Sequence, residues 1–246
     1  MATVIGMALS IDQIQRVLVI GAHPDDVDFG CAGTTALFTG AGVQVSYCIV
    51  TDGDAGGFDP SVPRSHIPEI RRMEQRNAGK AVGVEDIHFL GYRDGELEVS
   101  MQLRRDISRV IRVVKPDVVI CQSPDRNYDR IYASHPDHLA AGEAALCAVY
   151  PDSRNPFSHT ILLSEHNLEP WTVTETWLVA HATPNHVVDI TDTFDAKLAA
   201  LHCHESQHPE PDTLESRMRE WALQVGQNGG LGVGRLAEAF RVIVTA

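Results

Sequence analysis

The chain is short of positive charge: 20 Lys and Arg stand against 33 Asp and Glu, a formal charge of −13 at pH 7. A protein that grips a phosphate backbone needs a basic patch from which counterions are released, and no run of Lys or Arg occurs here. Nucleic acid is therefore excluded as a partner, while the surplus of carboxylates is compatible with solubility. Cysteine is sparse and scattered, with Cys31, Cys48, Cys121, Cys147 and Cys203 odd in number and free of any Cys-x-x-Cys pair. That excludes a disulfide framework and a thiolate zinc site, and it predicts reduced, mostly buried thiols in a cytoplasmic protein. Cys31 and Cys121, the cysteines near the strand ends where chemistry is expected, have no adjacent His arrangement that would make a nucleophilic thiolate. Long apolar runs are missing too. None reaches the ~20 residues that span a bilayer, so no membrane association is expected. Residues 1–16 show no basic start followed by a long apolar stretch, and no secretory leader is expected. The Gly-x-Gly-x-x-Gly of a dinucleotide site is absent as well. Gly21, Gly30 and Gly33 are spaced wrongly, and the carboxylates among them would repel a pyrophosphate.

What is present alternates. Short apolar runs (17–20, 43–50, 87–90, 118–121) are separated by segments of helical spacing (about 30–39, 69–82, 103–114, 139–149). This pattern predicts an α/β fold, a Rossmann-like, mostly parallel sheet with helices on both faces. Ligands in such sheets sit beyond the carboxyl ends of the strands, which places chemistry just after Ile20, Val50, Leu90 and Cys121. The second part is less regular, with strands near 177–180, 187–190 and 240–245, helices near 194–204 and 214–225, and a Gly-rich loop over 227–234. With no internal repeat and no low-complexity linker, residues 1–246 are expected to form one domain, in which 151–246 shape the substrate site.

Two stretches carry the chemistry. After the first strand comes Gly21-Ala22-His23-Pro24-Asp25-Asp26-Val27-Asp28. Three carboxylates crowded beside an imidazole repel one another, and a cation is the natural way to stabilise them. After the strand ending at Cys121, a polar loop leads to Ser134-His135-Pro136-Asp137-His138, whose two histidines are spaced to share a helix face. His23, Asp26 and one of His135 or His138 form a ligand set that leaves coordination positions open, as a hydrolytic zinc site requires. The same donors suit ferrous iron. Read blandly, each Asp is a helix cap and each His a solvated loop residue. Two His-Pro-Asp clusters, each beyond a strand end, favour the metal site.

These residues resemble the PIG-L/LmbE-like family of N-acetylglucosaminyl deacetylases. The resemblance runs through Ala22-His23-Pro24-Asp25-Asp26 with Gly33-Thr34, and Thr51-Asp52-Gly53-Asp54-Ala55-Gly56. It continues in Arg71-Arg72-Met73-Glu74, Leu90-Gly91-Tyr92-Arg93-Asp94-Gly95, His135-Pro136-Asp137-His138 and His204-Glu205-Ser206-Gln207. It implies a zinc-dependent hydrolase that removes an N-acyl group, expected to be N-acetyl, from a small amino sugar or glycoconjugate. His23, Asp26 and His138 would hold the metal, Asp25 would be the general base, and His135 would stabilise the tetrahedral oxygen. Asp137 would orient His135, Asp28 would support a ligand, and Arg71, Asp94 and His204 would line the substrate site. The chain departs from the pattern at Ala32, in place of one glycine, and at Ala133, where some relatives have Tyr. An amide on a non-sugar or thiol conjugate is the alternative substrate, and a non-catalytic metal- or carbohydrate-binding protein the alternative class. Homo-oligomers are common for such folds, but no interface is legible.

Overall fold

The computed structural model describes residues 8–208 and 210–246; the start of the stretch read as having no leader, residues 1–7, lies outside them. Along the chain come β1 (Arg16–Gly21), α1 (Asp26–Gly40), β2 (Gln44–Thr51), α2 (Ile67–Ala81), β3 (Asp86–Tyr92), α3 (Met101–Val114), β4 (Val118–Gln122) and α4 (Pro136–Cys147). There follow α5 (Ile161–Ser164), β5 (Glu175–Val179), β6 (His186–Asp189), α6 (Phe194–His202), α7 (Pro211–Asn228) and β7 (Ala237–Val244). The strands make one seven-stranded sheet in the order β3-β2-β1-β4-β5-β7-β6. The first five are parallel, and β7 runs antiparallel to both β5 and β6.

Alternation along the strands sorts the core into two layers. Leu18, Ile20, Cys48, Val50, Val119 and Cys121 face α3 and α4, where they meet Leu103, Ile107, Ala141 and Ala145. Val17, Val19, Val45, Tyr47, Ile49, Val118 and Ile120 face the other way, toward Phe38, Ala78 and Ala200 of α1, α2 and α6. Burial of both faces is why these strands read as continuous apolar runs. α3 has its limits written locally. The Ser100 hydroxyl accepts the Leu103 N–H at 3.1 Å as an N-cap, and Lys115 ends the helix at φ 54° before Pro116.

Two elements differ from the sequence reading. α1 begins at Asp26 instead of near Gly30, because the chain turns directly from the strand into the helix; it then kinks at Cys31 (φ −154°, ψ 22°). α7 runs to Asn228, so the glycine-rich loop expected from Gln227 starts only at Gly229. Residues 151–246 supply three of the seven strands, close to the three stretches read as strands there.

The order of the strands positions the site. β1 is flanked by β2 on one side and β4 on the other, with Ile20 in register with both Cys48 and Cys121. Connections leave in opposite directions at the β1–β4 junction, which opens a crevice at their carboxyl ends.

Candidate functional site

Both chemistry-bearing loops leave from that crevice. β1 ends at Gly21, where a side-chain carbon would come within 2.9 Å of Val27 Cγ1. Only glycine lets the chain fold back so sharply into α1. The Ala22 N–H donates to Gln122 Oε1 at 2.9 Å and ties the first loop to the end of β4. The second loop delivers His135 as the N-cap of α4: its Nδ1 accepts the Asp137 N–H at 3.2 Å, and Pro136 follows at the first helical position. α4 lies close against β4 at Gly142, where any side chain would overlap the Gln122 carbonyl.

The two loops converge. Ring centroids of His23, His135 and His138 are 4.9 Å (23–135), 5.2 Å (23–138) and 5.3 Å (135–138) apart. Asp26 lies between two of them, Oδ2 at 3.2 Å from His23 Nδ1 and Oδ1 at 3.1 Å from His138 Nε2. On its other side, His23 Nε2 is 3.1 Å from both Asp94 Oδ1 and Asp137 Oδ2. Donor atoms of His23, His135 and His138 lie within 4.8 Å of one another, as do those of His23, Asp94 and Asp137. The second trio is committed elsewhere, since Asp137 accepts the N–H groups of Gly95 (2.7 Å) and Leu97 (3.3 Å), and Asp94 that of Ala55 (3.3 Å). His138 differs from His135 in touching Asp26.

Asp25 has φ 93° and ψ −30°, a left-handed conformation that costs a side-chain-bearing residue on the order of 1–3 kcal/mol and persists only where its surroundings impose it. The surroundings come from α2. Arg71 Nη2 donates to the Pro24 carbonyl and to Asp25 Oδ2 (3.2 Å), and its Nη1 reaches the Gly53 carbonyl at 3.4 Å. The Asp25 N–H donates to Gln75 Oε1 at 2.8 Å.

Three residues given roles by the resemblance make their contacts in the interior. Arg71 is 2 % exposed, with its guanidinium turned onto this loop instead of open to a ligand. His204 is fully buried, its Nε2 2.8 Å from Asp28 Oδ2, where it braces the interior. Asp137 does hold His135, but through its backbone N–H; its carboxylate goes to His23. Asp94 alone of the three expected substrate residues faces the imidazole cluster.

Electrostatics follow from this crowding. Burial works against a charged His23, yet hydrogen bonds with Asp137, Asp26 and Asp94 prevail and hold it at about 12. Burial pushes Asp25 up to about 6, against the pull of Arg71. Asp26 is equally desolvated, but the charges of His138 and His23 keep it well below the usual carboxylate range. His138 is raised, Asp26 outweighing burial, whereas His135 is lowered by burial and by the nearby His23 charge.

Sequence reading missed the residues that support the site from a distance. At the α1 kink, the freed N–H groups of Gly33 and Thr34 donate to the Glu238 carboxylate at 3.1 and 2.8 Å, and the Thr34 hydroxyl joins them at 2.6 Å. Lys197 Nζ sits 2.6 Å from Glu238 and donates to the Phe29 carbonyl at 2.7 Å. One ion pair thus caps both halves of a broken helix. Glu238→Ala would leave Lys197 buried without its counter-charge and is expected to cost about 3–5 kcal/mol. Thermal unfolding should show a fall in Tm of roughly 10 °C; an unchanged Tm would refute this account of the kink.

Comparison with known proteins places these observations. Residues 18–149 match the PIG-L family, described as GlcNAc-PI de-N-acetylase. Diacetylchitobiose deacetylase of Thermococcus kodakarensis is 32% identical over 234 residues, covering 94% of this chain and 84% of that protein. A probable N-acetyl-alpha-D-glucosaminyl L-malate deacetylase 2 of Bacillus cereus is 34% identical over 200 residues, covering 78% of this chain and 84% of that protein. Among solved structures, N,N'-diacetylchitobiose deacetylase from Pyrococcus horikoshii, bound to its inhibitor MPG, superposes with a TM-score of 0.86. It is 34% identical, over 96% of this chain and 86% of that one.

Proposed function

Because this chain belongs to the PIG-L family, we propose that it hydrolyses the N-acetyl group of a small molecule containing N-acetylglucosamine. The observation that carries this reading is the meeting of His23, Asp26 and His138, through Asp26, immediately beside Asp25 and His135. His23, Asp26 and His138 would hold a divalent cation, zinc by preference, although the donors suit ferrous iron as well. Asp26 reaches the two imidazoles through different oxygens, Oδ2 at 3.2 Å from His23 and Oδ1 at 3.1 Å from His138, while the trio that gathers one donor atom each within 4.8 Å on this side is His23, His135 and His138. Imidazole and carboxylate donors of this kind suit a zinc ion with an open position. Such a cation would lower the pKa of a water toward about 7 and polarise the amide carbonyl.

The remaining work falls to this chain's side chains. Asp25 takes the proton of the attacking water and later delivers it to the leaving amine, a task suited to a carboxyl whose pKa lies near neutrality. His135 has its Nδ1 engaged as an acceptor, so its Nε2 carries a proton in either charge state. It can therefore donate a hydrogen bond to the oxygen that becomes negative as the tetrahedral carbon forms. Asp137 holds His23 in place, as outer carboxylates do for metal-binding imidazoles. Asp94, beside His23, would accept a sugar hydroxyl, and residues 151–246 would shape the rest of the substrate site.

The test is acetate and amine release across N-acetylglucosamine, diacetylchitobiose, malate- and inositol-linked N-acetylglucosamine, thiol conjugates and simple amides. Turnover of the N-acetylglucosamine compounds is expected, lost on chelation and restored by zinc. Turnover of the non-sugar amides alone would redirect the reading to a different amidase; none at all with metal present would leave a binding protein.

A further inference from the structure

The base proposed above has its own backbone held in place, and one residue that no motif marks does part of the holding. Gln75 lies on α2, fully buried, one helical turn beyond Arg71. Its Oε1 accepts the Asp25 N–H at 2.8 Å, and its Nε2 donates to Asp28 Oδ2 at 2.8 Å. Asp28 is fully buried too, and the same Oδ2 is 2.8 Å from His204 Nε2. Which way the amide faces is settled by its partners. A backbone N–H can only donate and a carboxylate only accept, so the oxygen must face Asp25 and the nitrogen Asp28.

Arg71 and Gln75 take hold of a single peptide unit. The Pro24 carbonyl, which accepts from Arg71, and the Asp25 N–H, which donates to Gln75, are the two polar ends of one Pro24–Asp25 bond. Rotation of that plane is the ordinary way for the chain to leave φ 93° at Asp25. Holding both ends blocks the rotation. We propose that Gln75 is a positioning residue for catalysis, fixing the Pro24–Asp25 peptide plane so that the Asp25 carboxylate is held in its productive place. Asp28 and His204 act behind it, orienting the amide. This inference rests on Asp25 being the base.

The experiment begins with Gln75→Met, similar in length and lacking the acceptor. Turnover of the best N-acetyl amino sugar from the panel is expected to fall roughly 10- to 100-fold in kcat, as for an angstrom-scale misplacement of a reacting group. KM and metal content should stay near those of the unaltered protein. Hydrogen exchange at the Asp25 amide, read by NMR, should speed up as its buried partner is lost. Gln75→Glu keeps an acceptor for Asp25 but sets a second carboxylate against Asp28, and it should be impaired as well. Adding Asp28→Asn restores a donor–acceptor pair between positions 75 and 28, with the His204 Nε2 that shares the Asp28 Oδ2 turning acceptor in its other tautomer, so the double variant should recover most of the lost kcat. Should Gln75→Met fail to fold, the comparison of single and double variants decides by itself: a Gln75→Glu/Asp28→Asn enzyme no faster than Gln75→Glu overturns the proposal. So does a folded Gln75→Met enzyme whose kcat stays within twofold. If Asp25→Ala keeps its turnover while Gln75→Met loses it, the choice of base is what fails; a dead Asp25→Ala beside a normal Gln75→Met sinks only the positioning role.

Discussion

Asp25→Ala is expected to lower kcat on an N-acetyl amino sugar by roughly 10²- to 10⁴-fold, the span typical of removing a general acid–base, while bound metal stays at its full stoichiometry. The structure separates the two effects. Asp25 makes its side-chain contact with Arg71, while Asp26 bridges His23 and His138. Removing the first carboxylate leaves the second where it was. Asp25→Gly makes a sharper control, because it too removes the carboxyl group while glycine adopts φ 93° without strain. The glycine variant should be as inactive as the alanine variant and no less stable. Near-normal kcat in either would remove Asp25 from the reaction.

His23→Ala should abolish both metal binding and activity, with elemental analysis of the purified variant as the decisive measurement. His23 is the one imidazole in contact with Asp26, Asp94 and Asp137 together. Without it the cation loses a ligand, and Asp94 and Asp137 lose the ring nitrogen they share. His135→Ala should behave differently. No Asp26 contact ties it to the cluster, so the variant is expected to keep its metal and lose turnover by roughly 10²- to 10³-fold, as when a donor to a developing oxyanion is removed. Full metal content in His23→Ala would take that imidazole out of the ligand set. Metal loss in His135→Ala, with His138→Ala retaining its metal, would exchange the assignments of those two.

The parts of this molecule that could be read in advance are those whose information is local. Buried strands show as apolar runs, turns as glycine, and the two His-Pro-Asp clusters as dense chemistry at strand ends; loops after β1, β2, β3 and β4 bring His23, Asp54, Asp94 and His135 to one edge of the sheet. What escaped depends on distant partners. An arginine in a helix looks the same whether it faces a ligand or grips the Pro24 carbonyl, and a histidine looks the same exposed or sealed against Asp28. Gln75 carries no charge and belongs to no motif. Glu238 sits in a strand pattern that gives no sign of the helix it caps. Nor does composition reveal that the last strand runs against its neighbours.

The kinked α1 ties the opening of the chain to its close. The bond from Gly33 to Glu238 spans 205 positions of sequence, so a nascent polypeptide carries all three candidate ligands long before the carboxylate that secures the helix bearing Asp26 has been made. Contacts of such long range are among the slowest to form. A product lacking β7 would own every candidate ligand and still lack the carboxylate that caps the broken helix on which Asp26 sits.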